Sequence, residues 1–196
     1  MKSPAKLVCI AALAFLAGCA SAPPTRLITL DDGRPLVAGV SSAPSIAVAR
    51  ANVPERIDRS QLVMRTDGNL MTLSEQYRWA EPLRREIPRV IARDLGEALD
   101  SSRVAALPSD AAGYDVDFKL MLDFQQLDAV AGQGVDVDVL WRAEPRSGSA
   151  IVGRSSFRQP VAGAATDYPA LAATQRQALR RVATEIAKEI VAYPKH

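Results

Sequence analysis

Apolar and polar residues alternate at every second position over most of this chain and change to a three-and-four spacing twice. The run 45–53, Ser-Ile-Ala-Val-Ala-Arg-Ala-Asn-Val, is β-branched, alternating and bounded by Pro44 and Pro54, which predicts a strand. A shorter alternating run, 26–30, precedes the turn Asp31-Asp32-Gly33-Arg34-Pro35. Runs 61–66 and 70–73 flank Asp67-Gly68-Asn69 and predict a hairpin. The period then changes. Trp79, Leu83, Ile87, Val90, Ile91, Leu95, Ala98 and Leu99 recur at three and four residues, with Arg84, Arg85, Arg89, Arg93 and Glu97 elsewhere. This is an amphipathic helix with Asp94 as a polar intruder in its stripe. Pro82 suits its first turn, whereas Pro88 either kinks it or separates a short lead-in from a second start.

Residues 104–107 read as a short buried strand. In 114–122 Val116, Phe118, Leu120 and Leu122 share one face, continuing to Phe124, while Asp115, Asp117, Lys119 and Met121 share the other. Runs 135–141 and 150–157 alternate likewise, and the three together predict an antiparallel meander with one covered and one wetter face. A long helix follows over 167–192, with Leu171, Ala178, Leu179, Val182, Ile186 and Ile190 on its apolar side, Asp167 as N-cap and Pro194 as stop. Hairpins mixed with helix-linked crossovers imply a single α/β domain with a mixed sheet and two main helices.

The first residues follow neither period. Lys2 and Lys6 precede an apolar run over 7–17, which is an export signal too short to span a bilayer core of about 30 Å. Leu16-Ala17-Gly18-Cys19 then matches a bacterial lipobox, in which cleavage of 1–18 leaves Cys19 N-terminal, carrying a diacylglycerol thioether and an amide-linked acyl chain. The alternative is ordinary processing at Ala20-Ser21-Ala22, which discards Cys19. Residues 19–25 are small, polar and proline-containing, the composition of a tether, and 26–194 form the domain. Ala20 stands where aspartate would signal inner-membrane retention, which favours the outer membrane.

Processing also changes the charge. The chain has 24 basic and 22 acidic residues, and losing Lys2 and Lys6 makes the mature chain formally neutral, so no basic surface argues for nucleic acid. Removing 18 of the 196 residues leaves 178, enough for one domain. Cys9 is lost and Cys19 is acylated, which leaves no thiol for a disulfide, metal or nucleophile. With His196 as the only histidine, at the chain's end, a nucleophile–histidine constellation has nothing to be built from. The carboxylate pairs Asp136/Asp138 and Asp115/Asp117 share strand faces and read as solvated sides rather than acid–base or calcium sites. Gly132-Gln133-Gly134 is a turn without the rest of a phosphate cradle. No enzyme class, metal or cofactor is implied.

Two stretches remain. One runs from Val53 and Pro54 through Arg56, Ile57, Asp58 and Arg59 to Gln61, Val63 and Arg65; the other is Arg78-Trp79-Ala80-Glu81-Pro82-Leu83. Locally, Trp79 staples the helix to the core, Glu81 favours its positive end and Pro82 starts it. Together with the lipobox, the order and spacing of these stretches resemble the ABC-type transport auxiliary lipoproteins of the PqiC/YmbA type. That resemblance implies a three-layer α/β/α domain and a non-enzymatic outer-membrane lipoprotein. Its implied partners are an MCE-domain protein and an ABC-type permease and ATPase that move lipid between membranes, with assembly into a homo-oligomeric ring. Asp58, Arg59, Arg65 and Glu81 are the charged residues of these motifs, and they face either a partner or internal salt bridges. Val53, Pro54, Gln61, Val63, Trp79, Ala80, Pro82 and Leu83 read as structural. Two other functions stay open: a carrier that binds lipid directly in an apolar cleft, and a regulator of a cell-wall enzyme.

Overall fold

The computed structural model describes residues 24–35, 43–107, 115–162 and 167–194. The export signal with Leu16, Ala17 and Gly18, Cys19 with most of the tether, Tyr114 and His196 lie outside the described residues. Within them run β1 (Arg26–Ile28), β2 (Ile46–Asn52), β3 (Gln61–Asp67), β4 (Leu70–Trp79), α1 (Leu83–Ala98), β5 (Val104–Ala106), β6 (Phe118–Val130), β7 (Gly134–Pro145), β8 (Ile151–Pro160) and α2 (Tyr168–Ala192).

The longest strand, β6, organises the sheet. On one edge it pairs antiparallel with β7 from Phe118↔Pro145 to Val130↔Gly134, and β7 pairs in turn with β8. Its other edge takes two strands end to end, both parallel to it. β2 lies along Phe118 to Asp123 and β3 along Ala129 and Val130, so residues 53–60 are an excursion between two segments on one edge. β5 extends the sheet beside β2, while β4 pairs antiparallel with β3 and β1 pairs parallel with β4. The result is the mixed eight-stranded sheet, meander and two helices that the hydrophobic pattern implied.

The alternation of β6 and β7 explains the core. Leu120, Leu122, Val135, Val137, Val139 and Ala143 are fully buried on one face, with Phe124 and Trp141 nearly so, whereas Lys119, Asp123, Leu140 and Arg142 are exposed on the other. Gly153 lies opposite Trp141, and a Cβ there would sit 2.1 Å from the indole, so only glycine leaves room for the ring. The stripes of α1 and α2 join this same core, α1 over β2 and β5 and α2 over β6 to β8, and the helices pack on each other.

Three boundaries differ from the sequence pattern. β4 runs on to Trp79 rather than ending near 73, because its polar second half is held by neighbours: Gln61 pairs with Arg78 and β1 pairs with Tyr77, Arg78 and Trp79. β6 continues to Val130 through a register shift between Phe124 and Gln126. α1 is one continuous helix through Pro88, with Pro82 at its N-cap. Pro88 removes the amide that would reach the Arg84 carbonyl, but the ring is buried near the helix start, where packing offsets the loss. Asp167 caps α2 as its side chain accepts from the Ala170 amide at 3.1 Å, and no described helix is long and apolar enough to cross a membrane.

Candidate functional site

The excursion at 53–60 is a tight turn in which the Pro54 carbonyl accepts from the amides of Ile57 at 3.0 Å and Asp58 at 3.1 Å. Ile57 is driven into the core, and this turns Asp58, Arg59 and Ser60 toward the far end of β4. There the Trp79 amide donates to the Ser60 carbonyl at 2.7 Å, stitching the two motif stretches together, and the Ala80 amide donates to the Ile28 carbonyl at 2.8 Å. A depression of about 340 Å³ forms at the junction, lined by Asp58, Arg59, Ser60, Trp79, Ala80, Glu81, Pro82 and Arg84.

Three of the four charged motif residues therefore meet in one groove. Arg84 donates to Asp58 Oδ2 at 2.6 Å, while Asp58 Oδ1 is buried with no hydrogen-bond partner among the described residues. Glu81 pairs with Arg89 on the next turn of α1. Arg59 is exposed and makes no ion pair among the described residues. Leu83, Trp79 and Val63 are buried, Val53, Pro54 and Gln61 are half-buried, and Ala80 and Pro82 are exposed on the groove wall.

Arg65 goes elsewhere. Its guanidinium donates to Asp128 Oδ2 at 2.7 Å and to the Gly68 carbonyl at 2.8 Å, which ties the β3–β4 turn to the middle of the sheet. Asp128, fully buried, also accepts from Arg56 at 3.2 Å. Arg65 thus takes the internal salt bridge, and the sequence pattern carried no signal naming Asp128 as its partner.

A larger charged cluster lies where the segment after β1 meets the helices. Asp94, the intruder in the α1 stripe, is bound in two-pronged fashion by Arg176 of α2 at 2.5 and 2.6 Å, and Arg34 reaches it at 3.2 Å. Asp32 faces Arg34 at 2.8 Å, Arg180 at 3.3 Å and Arg176 at 3.4 Å, and Asp31 pairs with Arg93. The hydrogen bond from Arg93 holds the Asp31 carboxyl below its ordinary range. Burial alone would raise Asp32, but the hydrogen bond from Arg34 and the charge of Arg176 leave it lowered as well. Beside them Glu86 Oε1 accepts from the Leu30 amide at 2.7 Å, the Asp31 amide at 3.2 Å and the Thr29 hydroxyl. Glu86 escaped the sequence reading; its signal was an acid three residues after Leu83, on the buried stripe.

A second cavity, about 490 Å³, opens at the end of α2 between Phe118, Ile190, Val191 and Tyr193, with Arg103 and Arg146 at its rim. Asp117 beside it is lowered by hydrogen bonds from the Ser45 amide and hydroxyl, both at 2.7 Å. The remaining carboxylate pair forms ladders on the outer sheet face, Asp138 to Arg154 and Asp136 to Arg158, each gripped by both prongs of the guanidinium. Among the described residues no three histidines, cysteines or acids are grouped to hold a metal ion.

Two crystal structures agree with this architecture. A crystal structure of an uncharacterised protein superposes with a TM-score of 0.62 at 16% identity, covering 86% of this chain and 99% of that one. One of a protein from Xanthomonas campestris superposes with 0.56 at 21% identity, covering 86% and 93%. A putative lipoprotein from Caulobacter crescentus CB15 aligns with 0.31 at 23% identity over 53% of this chain and 77% of that one. No curated protein matches in sequence. The family model for the ABC-type transport auxiliary lipoprotein component matches residues 29–187, which takes in β2 to β8, both motif stretches, the groove and most of α2, and the chain belongs to that family.

Proposed function

We propose that the protein is a non-catalytic docking subunit of an ABC-type system that moves lipid between membranes. In this reading Cys19 anchors it to the periplasmic face of the outer membrane of a Gram-negative cell, and the groove at Asp58, Arg59 and Glu81 receives an MCE-domain partner that works with the permease and ATPase. The observation that carries this reading is the meeting of both motif stretches at one groove with unfinished polar chemistry. A buried carboxylate oxygen without a donor costs about 1–3 kcal/mol, and a partner N–H or cation arriving at Asp58 Oδ1 removes that penalty. Arg59 offers an unpaired cation beside it for a partner carboxylate. A groove of this size takes one anchoring side chain, the centre of an interface whose rim spreads over the neighbouring surface.

Affinity capture from solubilised envelopes tests the proposal. The wild-type chain should recover MCE-domain and permease subunits; Arg59→Glu should lose them with an unchanged melting temperature, because Arg59 is exposed. Retention of the complex by Arg59→Glu would remove the groove from the interface, and recovery of a peptidoglycan synthase instead would support a cell-wall regulator. Metabolic palmitate labelling that persists in Cys19→Ala would remove the anchor.

A second reading, direct lipid binding, is favoured by the cavity at the end of α2, whose 490 Å³ falls among ligand sites of roughly 300–1,000 Å³ and which combines apolar walls with two arginines. Native mass spectrometry of the protein after vesicle incubation decides it: no retained phospholipid would leave docking as the sole function.

A further inference from the structure

The anchor, the edge strand β1 and the β3–β4 hairpin stand in a relation that orients the whole domain. β1 pairs parallel with the last residues of β4, Arg26 against Tyr77 and Ile28 against Trp79. The chain therefore enters β1 from the side of β4 that leads back to the turn at Gly68 and Asn69. Arg26 is seven residues on from Cys19, and a chain spans at most about 3.6 Å per residue, so an anchor at Cys19 holds the start of β1 within about 25 Å of the lipid surface. The hairpin at that end is braced: Arg65 grips both the turn carbonyl of Gly68 and the buried Asp128. It presents bare apolar surface, with Leu70 63% exposed and Leu73 39%. The groove lies at the other end of β4, beside Trp79, at most about 30 Å away.

We propose that the β3–β4 hairpin is a membrane-contacting prong: Leu70 and Leu73 seat in the headgroup boundary of the leaflet that holds Cys19, so that the groove faces away from that membrane. This rests on the lipid-anchor reading and adds to it a second contact and a fixed orientation. One exposed leucine adds little affinity by itself. Tethered beside an anchor, it contacts lipid at high effective concentration, and a small apolar contact suffices to set direction. Of the other exposed apolar residues, Leu27 pairs with Arg78 at the groove end of β4, Leu140 and Val152 lie on the outer face of the meander and Val191 near the end of α2, none of them on the hairpin.

The test uses the full lipidated chain reconstituted in vesicles of phosphatidylethanolamine and phosphatidylglycerol that carry nitroxide-labelled acyl chains. Thioether-linked Cys19 leaves no competing thiol, so Leu70→Cys, Leu73→Cys, Val152→Cys and Val191→Cys can each carry one environment-sensitive fluorophore. Val152 and Val191, each 69% exposed, control for apolar exposure alone. Surface-seated elements lie about 5–10 Å deep, so the label at 70 should be blue-shifted and quenched at least about threefold more than at 152 or 191, with 73 in between. Equal quenching at all four sites, or stronger quenching at 152 or 191, with the protein still floating with the vesicles, would overturn the orientation and leave the anchor standing. Failure to float would overturn the anchor and the orientation with it.

Discussion

The meander and the wing of β1, β4 and β3 are built on different physical terms. In β6, β7 and β8 the ladder is long, with ten pairs between β7 and β8 unbroken and a single shift between β6 and β7, and stability comes from burying Leu, Val and Trp side chains under α2. Between β3 and β4 the register breaks twice within a few residues, and half of β4 is exposed. The wing and the segment that feeds it add charged clamps to the burial of Leu62, Val63, Met64 and Trp79: Arg65 on Asp128, Glu86 on the amides after β1, and Asp94 with Asp31 and Asp32 under four arginines. Apolar burial is non-directional and tolerates many shapes. Charged clamps hold a particular geometry, which is what the proposed tethered, partner-binding surface needs.

The largest expected effect breaks the clamp. Asp94→Ala leaves Arg176, 8% exposed, with its best partner gone, and should cost about 3–5 kcal/mol in denaturant unfolding. A loss under about 1 kcal/mol would show that Asp32 compensates and that the cluster is not the joint described. Next, Leu120→Ala in β6 should cost about 2–5 kcal/mol through its buried volume, and the cost should not change with salt. A salt-dependent loss there would erase the distinction between the two halves. Arg65→Leu should cost about 1–3 kcal/mol, expressed as faster hydrogen exchange in β3 and β4 with β7 and β8 still protected. Uniform exchange would mean that the wing and meander open as one unit.

Acid separates the halves more gently. Asp31 and Asp32 have folded pKa values below their ordinary 3.8, so the unfolded chain binds more protons between the two values and stability rises with pH there. The contribution is fully present well above 3.8 and is lost as pH falls through the folded values; amides of 29–34 should therefore exchange first on acidification toward pH 3, ahead of β7. Smallest of all, Arg154→Ala on the outer ladder should lower the melting temperature only slightly, since the Arg154 side chain is 60% exposed and solvent screens the pair.

Where a pattern repeats, the sequence by itself determined the outcome: the period-two runs became β2, β3, β6, β7 and β8, the period-three-and-four runs became α1 and α2, and Asp167 became a cap. Those elements follow from local geometry and from which residues avoid water. The motif stretches also led to the family, because their order and spacing are linear information. Tertiary structure alone decided the pairings. Nothing in the chain marks Asp128 as the partner of Arg56 and Arg65, 72 and 63 residues away, or Arg176 as the partner of Asp94, 82 residues on. It also extended β4 to Trp79, since a strand of polar residues is a strand only when neighbours supply its hydrogen bonds. The same holds for the groove: Asp58, Arg59 and Glu81 were marked as charged residues wanting partners, but only the fold decided that Asp58 pairs with Arg84 and Glu81 with Arg89. It sent Arg65 inward to Asp128 and left Arg59 exposed, because burial removes the water that would otherwise satisfy a charge and so forces a specific partner on it.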